Sequence, residues 1–239
     1  MKPGLLSLIL CTGLLGIVCA DSPSALPVPP ENTLSPDKRY GITVPSIFDE
    51  SMEGRWFGEN KLIEMGTKRV LGEINAWTAY AHENHVDILP VWWSRDSAYA
   101  LWQVEGKWGK QSQVLIALQS GEIAWELDVL TALQRAILTR TEAVDPKKFL
   151  EAKKRNWGDG SGYPEKFTVE AVADHSNEGS LTFPVCLRVY LTSNPKSIPS
   201  IPQVDSSMEA TLNKDGMITV TGFRMGKSVA RVKDLPWIW

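Results

Sequence analysis

Three histidines and three cysteines in 239 residues leave little from which to build a metal or thiol centre. Cys11 and Cys19 lie within the first twenty residues. If that segment is removed, Cys186 stands alone and has no internal disulfide partner. Its setting in the apolar run 181–187 reads as that of a buried, inert thiol. No Asn-x-Ser/Thr acceptor occurs in the chain, so nothing in it is shaped for N-glycosylation. A formal net charge of -3 and a pI near 5.7 provide no basic field, which excludes nucleic acid as an expected partner and disfavours anionic membrane surfaces. The glycine-rich loop 158–162 lacks the Lys-Ser/Thr of a phosphate loop, the acidic ladder of a calcium loop and the Gly-x-Ser-x-Gly of a nucleophile turn.

Hydrophobic runs are short after residue 18. Before it, Lys2 leads into a mostly apolar stretch, 5–18, and Val18-Cys19-Ala20 offers compact residues ahead of a cut before Asp21. The run is shorter than the roughly 20 residues a membrane span requires and contains Thr12, Gly13 and Gly16. Residues 1–20 therefore read as a cleavable export signal that leaves no stable membrane span. Lipid anchoring through Cys19 ranks second, because Gly16-Ile17-Val18 does not supply the expected small residue beside it. Export without glycosylation acceptors points to a bacterial envelope protein, secreted or periplasmic.

What is present is proline, then β-forming residues, then helix. Residues 21–37 carry Pro23, Pro27, Pro29, Pro30 and Pro36 and read as an extended leader. Segments 40–47, 60–65, 73–80, 86–93, 98–104 and 113–118 are rich in Val, Ile, Tyr and Trp, and short polar connections between them predict antiparallel pairing. From Ser120, taken as an N-cap, Ile123, Leu127, Leu130, Leu133, Ile137 and Leu138 recur at helical spacing. Asp145-Pro146 opens a second helix ending near Lys153-Lys154-Arg155, with Gly158 beyond it. Strand signals return at 166–173, 181–192, 208–213, 217–224 and 228–232, with Asn213-Lys214-Asp215-Gly216 as the clearest hairpin turn. No internal repeat is evident. The fold class is α+β: mostly antiparallel sheet packed against one long amphipathic helix and a shorter second one, forming a single domain over 38–239.

Candidate chemistry is sparse. His82 and His85 sit three residues apart between strand signals, a spacing that matches neither the helical zinc pattern nor a finger, and only His175 remains elsewhere. Glu126 projects into the apolar stripe of the predicted helix, where desolvation would raise its proton affinity. On that helix Asp128 points about 160° away from it, which makes the pair poor as a catalytic couple. The basic residues of the second helix scatter around its axis and read as a solvated surface.

Ten tryptophans are more than a core of this size needs. Trp92 and Trp93, adjacent on a strand, must face opposite sides of their sheet. With Trp56, Trp77, Trp102 and Trp108 close in sequence, an aromatic platform is one outcome, since such rings give large contact area at low entropic cost. The residues singled out for binding are Trp93, Arg95, Asp96 and Trp108. No catalytic residue, metal ligand or cofactor is assigned. The expectation is a secreted or periplasmic protein that acts by binding a protein partner, of inhibitor or immunity type, with its oligomeric state open. The alternative is a secreted hydrolase of glycans using a carboxylate pair, Glu126 with Asp96 or Asp128.

Overall fold

A computed structural model describes residues 28–44, 60–74, 86–88, 91–106, 111–155, 167–174, 179–193 and 204–226. They form three antiparallel sheets and two helices, an α+β architecture. The N-terminal sheet has the order β1 (Tyr40–Ile42), β2 (Lys61–Glu64), β3 (Arg69–Glu73). The central sheet is built on β6 (Tyr99–Gly106), β7 (Gln111–Gln119) and β8 (Glu122–Asp128), with β4 (Val86–Ile88) and β5 (Trp92–Trp93) both pairing to the free side of β6. Helices α1 (Val129–Val144) and α2 (Pro146–Arg155) follow. The C-terminal sheet comes last, its strands β9 (Phe167–Asp174), β10 (Val185–Ser193), β11 (Asp205–Leu212) and β12 (Ile218–Met225) arranged β12-β11-β10-β9. Neighbouring strands pair antiparallel throughout, and β11 passes to β12 through the short turn Asn213–Met217.

The central sheet is covered on both faces, and strand alternation sorts its residues between two cores. Ala100, Trp102, Val104, Val114 and Ile116 face the N-terminal sheet, meeting Tyr40, Ile42, Val44 and Leu62. Leu101 and Leu115 face the other way, toward Leu130, Leu133 and Ile137 of α1, Phe149 and Ala152 of α2, and the inner residues of β9 to β11. Trp93 joins the first core and Trp92 borders the second, as neighbours on a strand must. Helix α1 lies across all four strands of the C-terminal sheet. The Thr141 hydroxyl on its inner face donates to the Ile137 carbonyl and shares a 2.7 Å hydrogen bond with Ser206 Oγ. Phe149 stacks on Phe167, centroids 4.8 Å apart.

Several expectations from the sequence are corrected here. The long helix begins at Val129; residues 122–128 are strand β8, and Ser120 with Gly121 forms the β7–β8 turn, both at positive φ (53° and 79°). The cap is Asp128, whose carboxylate accepts from Thr131 N at 2.9 Å and from Thr131 Oγ1 at 2.6 Å. A spacing of four residues fits a strand as well as a helix, which is why Ile123 and Leu127 looked helical. In fact a bulge leaves Ala124 unpaired and turns the strand over, so Ile123 borders the first core and Trp125 and Leu127 the second.

A strand not expected from the sequence forms at Arg69–Glu73; of the expected segment 73–80, residues 75–80 lie outside the described residues. On α2, Phe149 is buried and Leu150 is exposed. Cys186 is exposed on the outer face of β10, not buried, because Leu187 and Val185 take the inward positions. The proline-rich stretch is not a free leader over its last ten residues. Thr33 and Ser35 are buried, and Pro29 and Leu34 lie on β1 so closely that a Cβ on Gly41 would come within 2.8 Å of both. The predicted strand 228–232 and the end of the second helix at Gly158 lie outside the described residues.

Candidate functional site

Of the residues singled out for binding, Arg95 and Asp96 belong to one tight turn, and Trp93 ends the strand that leads into it. Ser94 Oγ donates to Asp96 Oδ1 at 2.6 Å and accepts from Tyr99 N at 2.9 Å; Asp96 Oδ1 also accepts from Ala98 N at 3.1 Å. Ser94 N donates to the Tyr99 carbonyl at 2.9 Å, and Ser97 N to that of Ser94 at 2.8 Å. The Ser94 hydroxyl, then the Ala98 N–H, hold the Asp96 carboxyl below the ordinary carboxylate range. Asp96 therefore organises its own loop. Arg95 beside it is exposed, while Trp93 is 2% exposed, stacked on Tyr40 and donating its indole N–H to the Thr33 carbonyl at 3.1 Å. Trp93 is thus core and no part of a platform. Trp108 lies outside the described residues, as do Trp56, Trp77, His82, His85 and His175.

The same turn occurs a second time in the chain. Ser35 Oγ donates to Asp37 Oδ1 at 2.7 Å and accepts from Tyr40 N at 3.0 Å; Asp37 Oδ1 accepts from Arg39 N at 3.1 Å. Ser35 N donates to the Tyr40 carbonyl at 2.9 Å, and Lys38 N to that of Ser35 at 2.8 Å. Even the left-handed residue is in the same place, Lys38 at φ 55° and Ser97 at φ 57°. Partial burial raises the proton affinity of Asp37, but the Ser35 hydroxyl, the Arg39 N–H, the Ser97 hydroxyl and the Arg39 charge outweigh it and the net shift is downward. The shared signal is Ser-x-Asp-x-x-Tyr, read as Ser35-Pro36-Asp37-Lys38-Arg39-Tyr40 and Ser94-Arg95-Asp96-Ser97-Ala98-Tyr99. Serine, aspartate and tyrosine at that spacing could have been found in sequence; proline and two cations in one copy conceal it.

Both turns lie at one edge of the stacked sheets. Arg69, opening β3, donates to the Gly121 carbonyl at 3.0 Å and pairs with Glu122 at the start of β8, fixing the β7–β8 turn on that edge too. The strand ends at Val44, Asn60, Ile74, Val86, Gly106 and Gln111 must then share the opposite edge, because each strand runs away from the first. The two edges are about 23 Å apart along β6, and Asp96 lies at the one where β6 begins.

The carboxylate couple also changes. On β8, Glu126 pairs opposite Ile116 and Asp128 opposite Val114, so the two acids point to the same side of the sheet. The Asp128 carboxylate is nonetheless taken up by the α1 cap. Asp96 sits in the turn at the far edge. Among the described residues no group of three or more His, Cys, Asp or Glu side chains could hold a metal ion, and no helix is long and apolar enough to cross a membrane. No family model, no curated protein and no solved structure matches this chain.

Proposed function

We propose that the chain is a secreted or periplasmic binding protein, of inhibitor or immunity type, that occupies a protein partner with its tryptophan-bearing connections. One observation carries this reading: the strand ends that bracket residues 45–59, 75–85 and 107–110 share a single edge of the sheet stack. Those three segments contain Trp56, Trp77 and Trp108. Loops gathered on a rigid sheet frame are a common place for recognition, and tryptophan is enriched at interface hot spots. The edge carrying Asp96 and Arg95 is instead absorbed by turn geometry.

The test is affinity capture from the native envelope fraction with the wild-type chain and with Trp56, Trp77 and Trp108 all replaced by alanine. A stoichiometric protein partner retained by the first and lost by the second is the expected result. Absence of any partner, together with turnover of a glycan panel that Glu126→Gln abolishes, would replace this reading with the hydrolase.

A further inference from the structure

Each of the two Ser-x-Asp-x-x-Tyr turns receives the next piece of chain in the same manner. On the first, Val91 N donates to the Asn32 carbonyl at 3.0 Å, and two residues later the Trp93 ring stacks on Tyr40 with centroids 6.1 Å apart at 17°. On the second, Leu181 N donates to the Trp93 carbonyl at 2.9 Å, and two residues later the Phe183 ring meets Tyr99 edge-on, 5.2 Å apart at 74°. Ser180 Oγ adds a 3.3 Å bond to the same Trp93 carbonyl. The leading apolar residue is buried in both cases, Val91 at 7% and Leu181 at 5% exposure. The accepting carbonyl lies three residues before the turn serine in the first copy, within the 3-10 turn Glu31–Thr33, and one residue before it in the second, at the end of β5; the two copies differ in this approach and agree in the turn and in the ring that meets its tyrosine.

We propose that residues 28–74 and 86–128 are two copies of one layer, and that the tyrosine face of each layer is a docking surface for an extended segment of the form apolar, any residue, aromatic. The first layer takes Val91-Trp92-Trp93 of the second. The second layer takes Leu181-Thr182-Phe183, by which the C-terminal helices and sheet attach as a third layer would. This accounts for Tyr40 and Tyr99 facing different cores although they hold the same place in the turn: each faces the layer that follows it. A layer of this kind cannot bury its apolar face alone and stacks on its neighbour, as units of repeat proteins do.

The experiment is amide exchange on the full chain, reading Val91 and Leu181 separately, for wild type, Tyr99→Ala, Tyr40→Ala and Phe183→Trp. Loss of one aromatic pair should open the dependent amide about two- to tenfold. Tyr99→Ala should therefore accelerate Leu181 and leave Val91 within twofold, Tyr40→Ala should do the reverse, and Phe183→Trp should keep Leu181 protected as Trp93 keeps Val91. Because Tyr40→Ala risks general unfolding, Tyr40→Leu serves as the second variant at that position, with the same expected direction. Equal acceleration of both amides by either tyrosine variant, or a Leu181 amide indifferent to Tyr99, would overturn the proposal.

Discussion

The two faces of the central sheet are closed by different means. Toward the N-terminus the cover is another sheet, and the joints are main-chain carbonyls and one indole N–H, with Trp93 reaching Thr33 and Val91 reaching Asn32. Toward the C-terminus the cover is α1, α2 and the inner face of β9 to β11, and the joint includes a buried amide pair. Gln113 Nε2 donates to Gln103 Oε1 at 2.9 Å and to the Ala171 carbonyl of β9 at 3.4 Å. Because β6 and β7 supply both cores by simple alternation, neither face can unfold globally without the strands that the other one uses, although a segment docked on one face can open locally. Two covers of different architecture thus share one pair of strands, and they should unfold together.

The largest effects break that comparison from either side. Trp102→Ala, at a fully buried ring between the two N-terminal sheets, should cost about 3–5 kcal/mol; Leu133→Ala, fully buried under α1, about 2–5 kcal/mol. If the central sheet couples the faces, urea unfolding followed by tryptophan fluorescence and by far-ultraviolet circular dichroism should keep coincident midpoints in both variants. A variant whose two midpoints separate would mean that its face opens independently.

A smaller effect sharpens the account of the N-terminal cover. In Gly41→Ala the new methyl would meet Leu34 Cδ2 and Pro29 Cβ at 2.8 Å, and forced overpacking of this kind costs about 1–3 kcal/mol. Adding Leu34→Ala should recover part of the loss in a denaturant titration. No recovery would mean that residues 29–34 do not press on β1 as a structural layer.

Much of this frame was legible from residue type and order. The strand segments around β6, β7, β9, β11 and β12, and the Asp145-Pro146 restart, follow from β-propensity and capping chemistry that act locally. The Asn213–Gly216 turn does as well: Gly216 at φ 81° donates to the Asn213 carbonyl, and Asp215 accepts from Met217 N. What escaped was decided by longer-range facts. Four-residue spacing could not tell the end of β8 from a helix, and the bulge at Ala124 left no mark in hydropathy. Prolines argued that 28–37 stays outside the fold, yet Pro29 needs no N–H where it packs against Gly41. As for the site, Trp93, Arg95, Asp96 and Trp108 are neighbours in sequence, but Trp93 is buried in the core and Trp108 lies outside the described residues. The turn that follows Trp93 and holds Arg95 and Asp96 leads directly into the eight-residue strand β6.

The smallest expected effect tests whether the two turns are energetically as alike as they are in geometry. Asp37 and Asp96 both titrate below the ordinary value of 3.8 in the folded protein. A carboxyl with a depressed folded-state pKa adds stability that is fully present above its unfolded value and is lost as pH falls through the folded value. Acid should therefore weaken both turns below about pH 4, and Asp37→Asn or Asp96→Asn should each flatten that part of the stability profile measured by urea titration. The two should differ in one respect. Asp37 draws part of its shift from the Arg39 charge, an exposed Coulombic attraction that salt screens, whereas the downward shift of Asp96 comes from hydrogen bonds, that of Ser94 first, then those of the Ala98 N–H and its own N–H, and draws on no neighbouring charge. Raising the ionic strength to about 1 M, where the screening length falls to about 3 Å, should shrink the Asp37→Asn difference and leave the Asp96→Asn difference in place. An identical salt response would mean that the arginine next to the first turn adds nothing to it.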